Sequence, residues 1–304
     1  MLQRLLQIFV TLFFEIHLNV NLKNIFMKTL LFPTDFSQNA IHASEYAGLL
    51  AKKFEANVVL LNIYSAPIIT EYQVPYNAND FTMEMKEISV KNLQVFTDKF
   101  IENTSLDKDR VSQRIEYGFV SDVIIETAKA INADFIVMGT KGASNMLEKW
   151  IGTTAQSVMK TTECPLWIIP QDAVINYPQK FLYAADLQED EIMATQQVME
   201  FATPLQAICK VIHIDDYFEV NINKDVKEKI DELKEEFKDD DNVFVRNIRR
   251  DDIIEGLETY IESYKPDVLA LAVHEKSLFS KIFEESVTNH FVYEANLPLL
   301  IFRK

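Results

Sequence analysis

Between Met138 and Thr153 the chain places three of its six glycines, Gly139, Gly142 and Gly152, among Thr140, Lys141, Thr153 and Thr154. The spacing Gly139-x-x-Gly142, nine residues, Gly152-Thr153 suits backbone wrapped around a phosphate. Glycine lets main chain approach a ligand closely or adopt positive φ. The residues before the motif, Asp134 to Met138, are apolar and β-prone, and Thr154 to Thr162 reads as a helix. Free N–H groups at a helix start, at the positive end of its dipole, favour an anion. A strand-to-helix turn alone accounts for Gly139 or Gly142, but less well for the added pair Gly152-Thr153. The pattern is neither a Walker A loop nor Gly-x-Gly-x-x-Gly.

The elements that must hold this loop alternate strand and helix. Thr29 to Phe32 is a β run ending at Pro33-Thr34-Asp35, and Ser37 is placed to cap a helix with apolar Ala40, Ala43, Ala47, Leu50 and Phe54. Val58 to Tyr64 has the continuous apolar character of a strand covered on both faces. A helix from about Phe81 to Ile101, a strand Val111 to Tyr117, a helix Asp122 to Asn132 and a last strand Pro165 to Ile169 complete this half. Repeated β-α-β with long connections predicts a parallel sheet with right-handed crossovers.

The plan is then repeated. Strands are expected at Phe181–Ala185, Ala207–Ile214, Val243–Ile248 and Val268–Val273, with helices to about Phe201 and over Val226–Phe237 and Ile253–Tyr264. Asp134 and Asp267, like Pro165 and Pro298, are 133 residues apart. A repeat of that length predicts two homologous domains rather than a solenoid. Residues 27–172 and 179–304 are the expected units, with the boundary near Gln171 to Pro178. Met1 to Phe14 carries an apolar run too short to span a bilayer and followed by no small-residue cleavage site. Met27 directly precedes the first strand, so residues 1–26 are expected outside the fold, and a misassigned start would explain them. As a helix they would instead expose an apolar face to a membrane or partner.

Composition narrows the function. A formal net charge of −16 argues against nucleic-acid or anionic-membrane partners. Cys164 and Cys209 lack metal-ligand spacing and read as reduced thiols, in keeping with a cytoplasmic protein. Asp239-Asp240-Asp241 reads as a solvated turn before a metal site. In an open α/β sheet, ligands sit at the carboxyl ends of the strands where strand order reverses. Asp35 and Gly139 each end a strand, and a shared crevice follows if those strands are neighbours.

On these residues the chain resembles the universal stress protein family. The glycine motif matches that family's ATP-binding signature, Pro33-Thr34-Asp35-Phe36-Ser37 its first-strand motif, and Gly118 with the Asp122 helix its middle. The resemblance spans about Met27 to Pro170, and more weakly Lys180 to Lys304. It implies an α/β fold of two doubly wound parallel five-stranded sheets as tandem repeats. These would be Rossmann-like, of the adenine nucleotide alpha hydrolase type, with strand order 3-2-1-4-5. It implies that Pro33, Thr34 and Asp35 border a nucleoside, that Ile63 offers backbone groups to the adenine edge and that Met138 lines the base or ribose. The amides around Thr140, Lys141 and Gly142, with Gly152, Thr153 and Thr154, would hold the phosphates of ATP, with or without Mg2+. The domains are expected to pair through their apolar last strands, Pro165–Ile169 and Pro298–Phe302, as an intramolecular pseudo-dimer. A homodimer of chains is compatible with this.

The second half departs from the signature. Gly139, Gly142 and Gly152 become Ala272, Glu275 and Glu285, although Asp186 and Ser286 remain. Carboxylates there would oppose a polyphosphate, so one competent site per chain is expected. No catalytic constellation appears. Asp35, Ser37 and His42 are close, but Ser37 reads first as a helix cap, and His17, His42, His213, His274 and His290 form no ligand set. The expected function is a nucleotide-dependent regulatory module of the stress response, acting through an unknown protein partner. A slow ATPase is the alternative, as is a nucleotide-independent scaffold using the acidic surface and the aromatics Tyr64, Tyr72, Tyr76 and Phe81.

Overall fold

The computed structural model describes residues 28–65, 78–140, 152–187, 190–216, 224–273 and 297–303. The first half runs β1 (Thr29–Pro33), α1 (Gln38–Lys53), β2 (Asn57–Tyr64), α2 (Ala78–Thr104), β3 (Val111–Tyr117), α3 (Val120–Ala130), β4 (Phe135–Gly139), α4 (Thr153–Thr161) and β5 (Leu166–Ile169). The second runs β6 (Lys180–Ala184), α5 (Glu191–Leu205), β7 (Ile208–Asp216), α6 (Lys224–Glu236), β8 (Val243–Arg250), α7 (Ile253–Tyr264), β9 (Val268–Val273) and β10 (Leu299–Arg303). Among the described residues no helix is long and apolar enough to cross a membrane. The N-terminal segment 1–26 lies outside the described residues.

All ten strands form one sheet, in the order β3-β2-β1-β4-β5-β10-β9-β6-β7-β8. Each half has the 3-2-1-4-5 order, but the two expected sheets are a single one. The joint is antiparallel: Leu166, Trp167 and Ile168 lie opposite Ile301, Leu300 and Leu299. All six are fully or almost fully buried. Either strand left at an edge would expose an apolar row with unpaired amides, and mutual pairing removes both edges.

Two apolar layers flank the sheet, and each runs through both halves. One joins Phe32, Leu50, Leu93 and Phe135 to Phe181, Val198, Leu233 and Phe302, under α1, α2, α5 and α6. The other joins Leu31, Ile124, Ile136 and Val158 to Leu182, Leu257, Leu269 and Ile301, under α3, α4 and α7. Trp167 ties the halves most directly. Its ring packs 5.9 Å from Tyr46 of α1, 6.0 Å from Phe181 of β6 and 5.6 Å from Phe201 of α5. His42 adds a polar tie, donating from Nε2 to Ala173 O at 2.9 Å in the connection between the halves.

Helix α1 starts as its sequence dictates, with Ser37 Oγ accepting from Ala40 N at 3.2 Å, and its stripe Ala40, Ala43, Ala47 and Leu50 is buried with Phe54 just beyond it. Helix α5 continues to Leu205, past the expected end near Phe201. Burial of Ala202 and Leu205 carries it through Pro204 to a left-handed Gln206. The β3 strand is an edge and half-exposed, so its side chains do not alternate cleanly.

Candidate nucleotide site

The β1 strand pairs with both β2 and β4, and here the strand order reverses. Beyond its end the chain turns sharply, with Phe36 at φ 63°. The turn is held by side chains of its own sequence. Thr34 Oγ1 accepts from Phe36 N at 3.1 Å, and Asp35 Oδ1 from Ser37 N at 3.1 Å. Buried Asn62 of β2 donates from Nδ2 to Thr34 O at 2.8 Å and pins the strand end.

A cavity of about 270 Å³ opens at this point. Pro33, Thr34 and Asp35 line one wall, Ile63 another, and Met138, Gly139 and Thr140 a third. Gly152, Thr153 and Thr154 line the remaining side at the start of α4. Ten of the twelve residues singled out from sequence therefore meet around one space, while Lys141 and Gly142 lie outside the described residues.

Strand geometry sets which way the Ile63 backbone faces. Leu61 O accepts from Thr34 N at 2.8 Å, on the β1 side, and Tyr64 O accepts from Gly118 N at 3.2 Å, on the β3 side. Backbone groups alternate sides along a parallel strand. Ile63 N–H and C=O therefore face the β1 side, where β1 has already ended.

The backbone near the glycines is partly committed. Thr140 N donates to Ile169 O at 3.2 Å, and Gly152 N donates to Thr140 O at 2.6 Å. Neither amide is available to a ligand. Two kinds of donor remain. Helix α4 has no side-chain cap bond at Gly152, so the first-turn amides of Thr153 and Thr154 lack intrahelical acceptors. Thr140 is a lining residue, and its Oγ1 is buried and has no hydrogen-bond partner among the described residues. A buried hydroxyl left so costs about 1–3 kcal/mol. Gly139 allows close packing on α1: a Cβ there would stand 3.2 Å from Asn39 O, a tight contact.

Sequence reasoning missed Ala40, Leu61, Val120, Ile124 and Ala155, which complete the lining. Asn62, which pins the end of β1, was also missed. The available signal was Gly118, whose φ of 151° turns β3 into α3 and aims Val120 and Ile124 inward; a Cβ on it would meet Val123 at 2.8 Å.

The matching place in the second half is nearly filled. Register pairs Thr29 with Asn57 and Lys180 with Ile208, which equates Pro33, Thr34, Leu61, Asn62 and Ile63 with Ala184, Ala185, Ile212, His213 and Ile214. These five residues of the second half, with Asp186 and Ile253, surround only about 10 Å³. His213 does the work of Asn62, its Nδ1 donating to Ala185 O at 2.8 Å, with Asp215 Oδ1 3.1 Å from Nε2. Thr140 corresponds to Val273, and Gly139 to Ala272. His274, Glu275, Glu285, Ser286 and His290 lie outside the described residues.

Ser37 and His42 are both engaged in the fold, as cap and tie. Among the described residues no group of three or more His, Cys, Asp or Glu is placed to hold a metal. Burial pushes the thiols of Cys164 and Cys209 each up to about 12, which keeps them protonated and unreactive at neutral pH.

Residues 27–170 match the model of the universal stress protein family. A universal stress protein of Synechocystis is 26% identical over 151 residues, covering 48% of this chain and 87% of that protein. One of Methanocaldococcus jannaschii is 25% identical over 142 residues, 47% of this chain and 81% of that one. A universal stress protein of Archaeoglobus fulgidus shares the fold over 91% of this chain and 96% of its own, with a TM-score of 0.66 at 17% identity. A functionally unknown protein of Pseudomonas aeruginosa does so over 91% and 92%, at 0.56 and 13%. A universal stress protein domain thus accounts for about half of this chain, and the strand order of that half is repeated in the other.

Proposed function

We propose that the chain binds one adenine nucleotide, ATP, in the first-half cavity and acts as a nucleotide-dependent regulatory module of the stress response. The carrying observation is the meeting of apolar walls, the side-chain-uncapped start of α4 and Thr140, whose buried hydroxyl has no partner among the described residues, around about 270 Å³. Pro33, Ile63, Val120 and Met138 supply flat apolar surface for a base, and the open Ile63 backbone supplies an edge to recognise it. Asp35 lies toward the ribose. Thr140 Oγ1 and the amides of Thr153 and Thr154 donate to phosphate oxygens, helped by the dipole of α4. Lys141 and Gly142 complete the cradle in this reading. Mg2+ would accompany the phosphates, neutralising their charge.

Binding rather than turnover is favoured because Asp35, Ser37 and His42 hold the β1 turn, the α1 cap and the inter-half tie. No described side chain is left as a general base beside the phosphate end. Occupancy would then act by favouring one conformation or partner over another. The two units are residues 27–172 and 179–304, the second a degenerate copy, and the setting proposed is the cytoplasm. Native mass spectrometry of the full chain with ATP and Mg2+ tests the reading. One nucleotide per chain is expected, and none, or two, overturns it. Steady-state phosphate release that disappears in Gly142→Glu with folding intact would convert the module into a slow ATPase.

A further inference from the structure

The second half carries a feature at the opposite end of its sheet that the first half lacks. Lys180, Lys210 and Arg246 lie on the α7 side of β6, β7 and β8, where Leu182, Ile212 and Ile248 of the same strands face α7. Lys210 Nζ stands 3.8 Å above the ring of Tyr264, and Lys180 Nζ 5.5 Å from the same ring. In the register, Lys210 lies opposite Phe244 and Ile212 opposite Arg246, so Arg246 is a diagonal neighbour of Lys210. None of the three cations makes an ion pair among the described residues. Oδ2 of the nearby Asp267 accepts from the amides of Gln179 and Lys180, at 2.8 and 2.9 Å. Burial, then the charges of Arg246 and Lys180, hold Lys210 below the usual lysine range.

Equivalent positions in the first half show none of this. Thr29, Val59 and Ile131 stand where Lys180, Lys210 and Tyr264 do. Arg114 stands where Arg246 does, but it is paired with Glu116 at 3.8 Å, and the counterpart of Glu116 is Ile248. Three neighbouring cations with no ion pair among the described residues repel one another, and an anion meeting them would relieve that repulsion. Flanking them are Ile208 at 39% exposure and Phe244 at 44%. The β8 strand is the outer edge of the sheet, so its outward amides and carbonyls are open to pairing.

We propose that the β8 edge and this basic, aromatic-backed face dock an extended acidic segment of a partner protein. The segment adds as a further strand beside β8, with its carboxylates on the face shared by Phe244, Arg246 and Lys210 and its alternate apolar residues on the other face, beside Val245. Main-chain bonds supply affinity and the alternate side chains supply selection, as in strand addition generally. A second copy of this chain is disfavoured there. Arg246 sits at the middle of β8, so antiparallel pairing of two such edges would bring like charges together. Nucleic acid is disfavoured by the overall charge.

Fluorescence anisotropy on the full chain tests this, using a labelled heptapeptide of alternating Glu and Val and its Lys–Val counterpart. The acidic peptide is expected to bind, and Arg246→Glu to weaken it at least about tenfold, with Arg246→Gln intermediate and melting unchanged. Hydrogen exchange is expected to slow at β8 amides when the acidic peptide is bound. No binding of the acidic peptide, equal binding of the basic one, or no effect of Arg246→Glu overturns the proposal. Binding without β8 protection, or tighter binding of a short single-stranded oligonucleotide at these residues, overturns it as well.

Discussion

Two halves with one strand order differ at the place where a ligand would sit. At the end of β1 the first half keeps about 270 Å³ open, and at the end of β6 the second keeps about 10 Å³. The clamp across the strand end is conserved in role but not in residue. Asn62 holds Thr34 O in one half, and His213 holds Ala185 O in the other. The orphaned Thr140 hydroxyl has a valine as its counterpart. A fold can thus preserve its backbone clamp while losing the space and donors beside it, because the clamp stabilises the sheet and the pocket does not.

The sharpest way to break the comparison is to make the first half resemble the second. Gly152→Glu sets a carboxylate at the start of α4, at an ordinary backbone conformation of φ −57° and ψ 150°. ATP binding by calorimetry is expected to fall by more than about 100-fold, with little change in melting. Unchanged affinity would remove the phosphates from this end of the cavity.

Trp167→Ala asks whether the halves are separable at all. Losing a fully buried ring that touches both should cost about 3–5 kcal/mol in one cooperative transition. Two transitions in denaturant, with only one shifted, would divide the shared core. Thr140→Val copies Val273 and removes a single donor, so ATP affinity should drop about tenfold, roughly 1–1.5 kcal/mol. A matching gain in ATP affinity on Val273→Thr would show that the second half also binds.

Asn62→Ala leaves Thr34 O unpaired, and a loss of about 1–3 kcal/mol in chemical denaturation is expected. His213→Ala should cost a similar amount if the two clamps are equivalent. The smallest effect concerns pH. Cys209 is held at about 12 in the fold by burial, against 9.0 in the unfolded chain. Between these values the unfolded state loses the proton first, so stability falls as pH rises, by at most about 1.4 kcal/mol per unit from this group. Cys209→Ala should flatten the alkaline limb of stability measured between pH 9 and 11, and an unchanged slope would assign it to Tyr183 or other buried groups.

Much of the site was legible because its residues mark element ends. Pro33-Thr34-Asp35, the Ser37 cap and Gly152-Thr153 follow from local backbone requirements that the chain satisfies within a few residues. Asn62, Val120 and Ile124 were not legible, since they matter only once β2 and α3 are brought against β1. The commitment of the Thr140 and Gly152 amides was hidden for the same reason, because their acceptors are Ile169 O and Thr140 O.

By itself the sequence determined the alternation of strands and helices, the repeat, and which half carries the glycine motif. Apolar periodicity and glycine spacing are local and survive without a folded partner. Only the tertiary structure decided that ten strands make one sheet, that Trp167 belongs to both halves, and that one crevice is open while its counterpart is filled. It also decided that Lys180, Lys210 and Arg246, 66 residues apart end to end, share a face. Such outcomes depend on which strand edges meet and on the side chains that pack across them, and no window along the chain contains both partners.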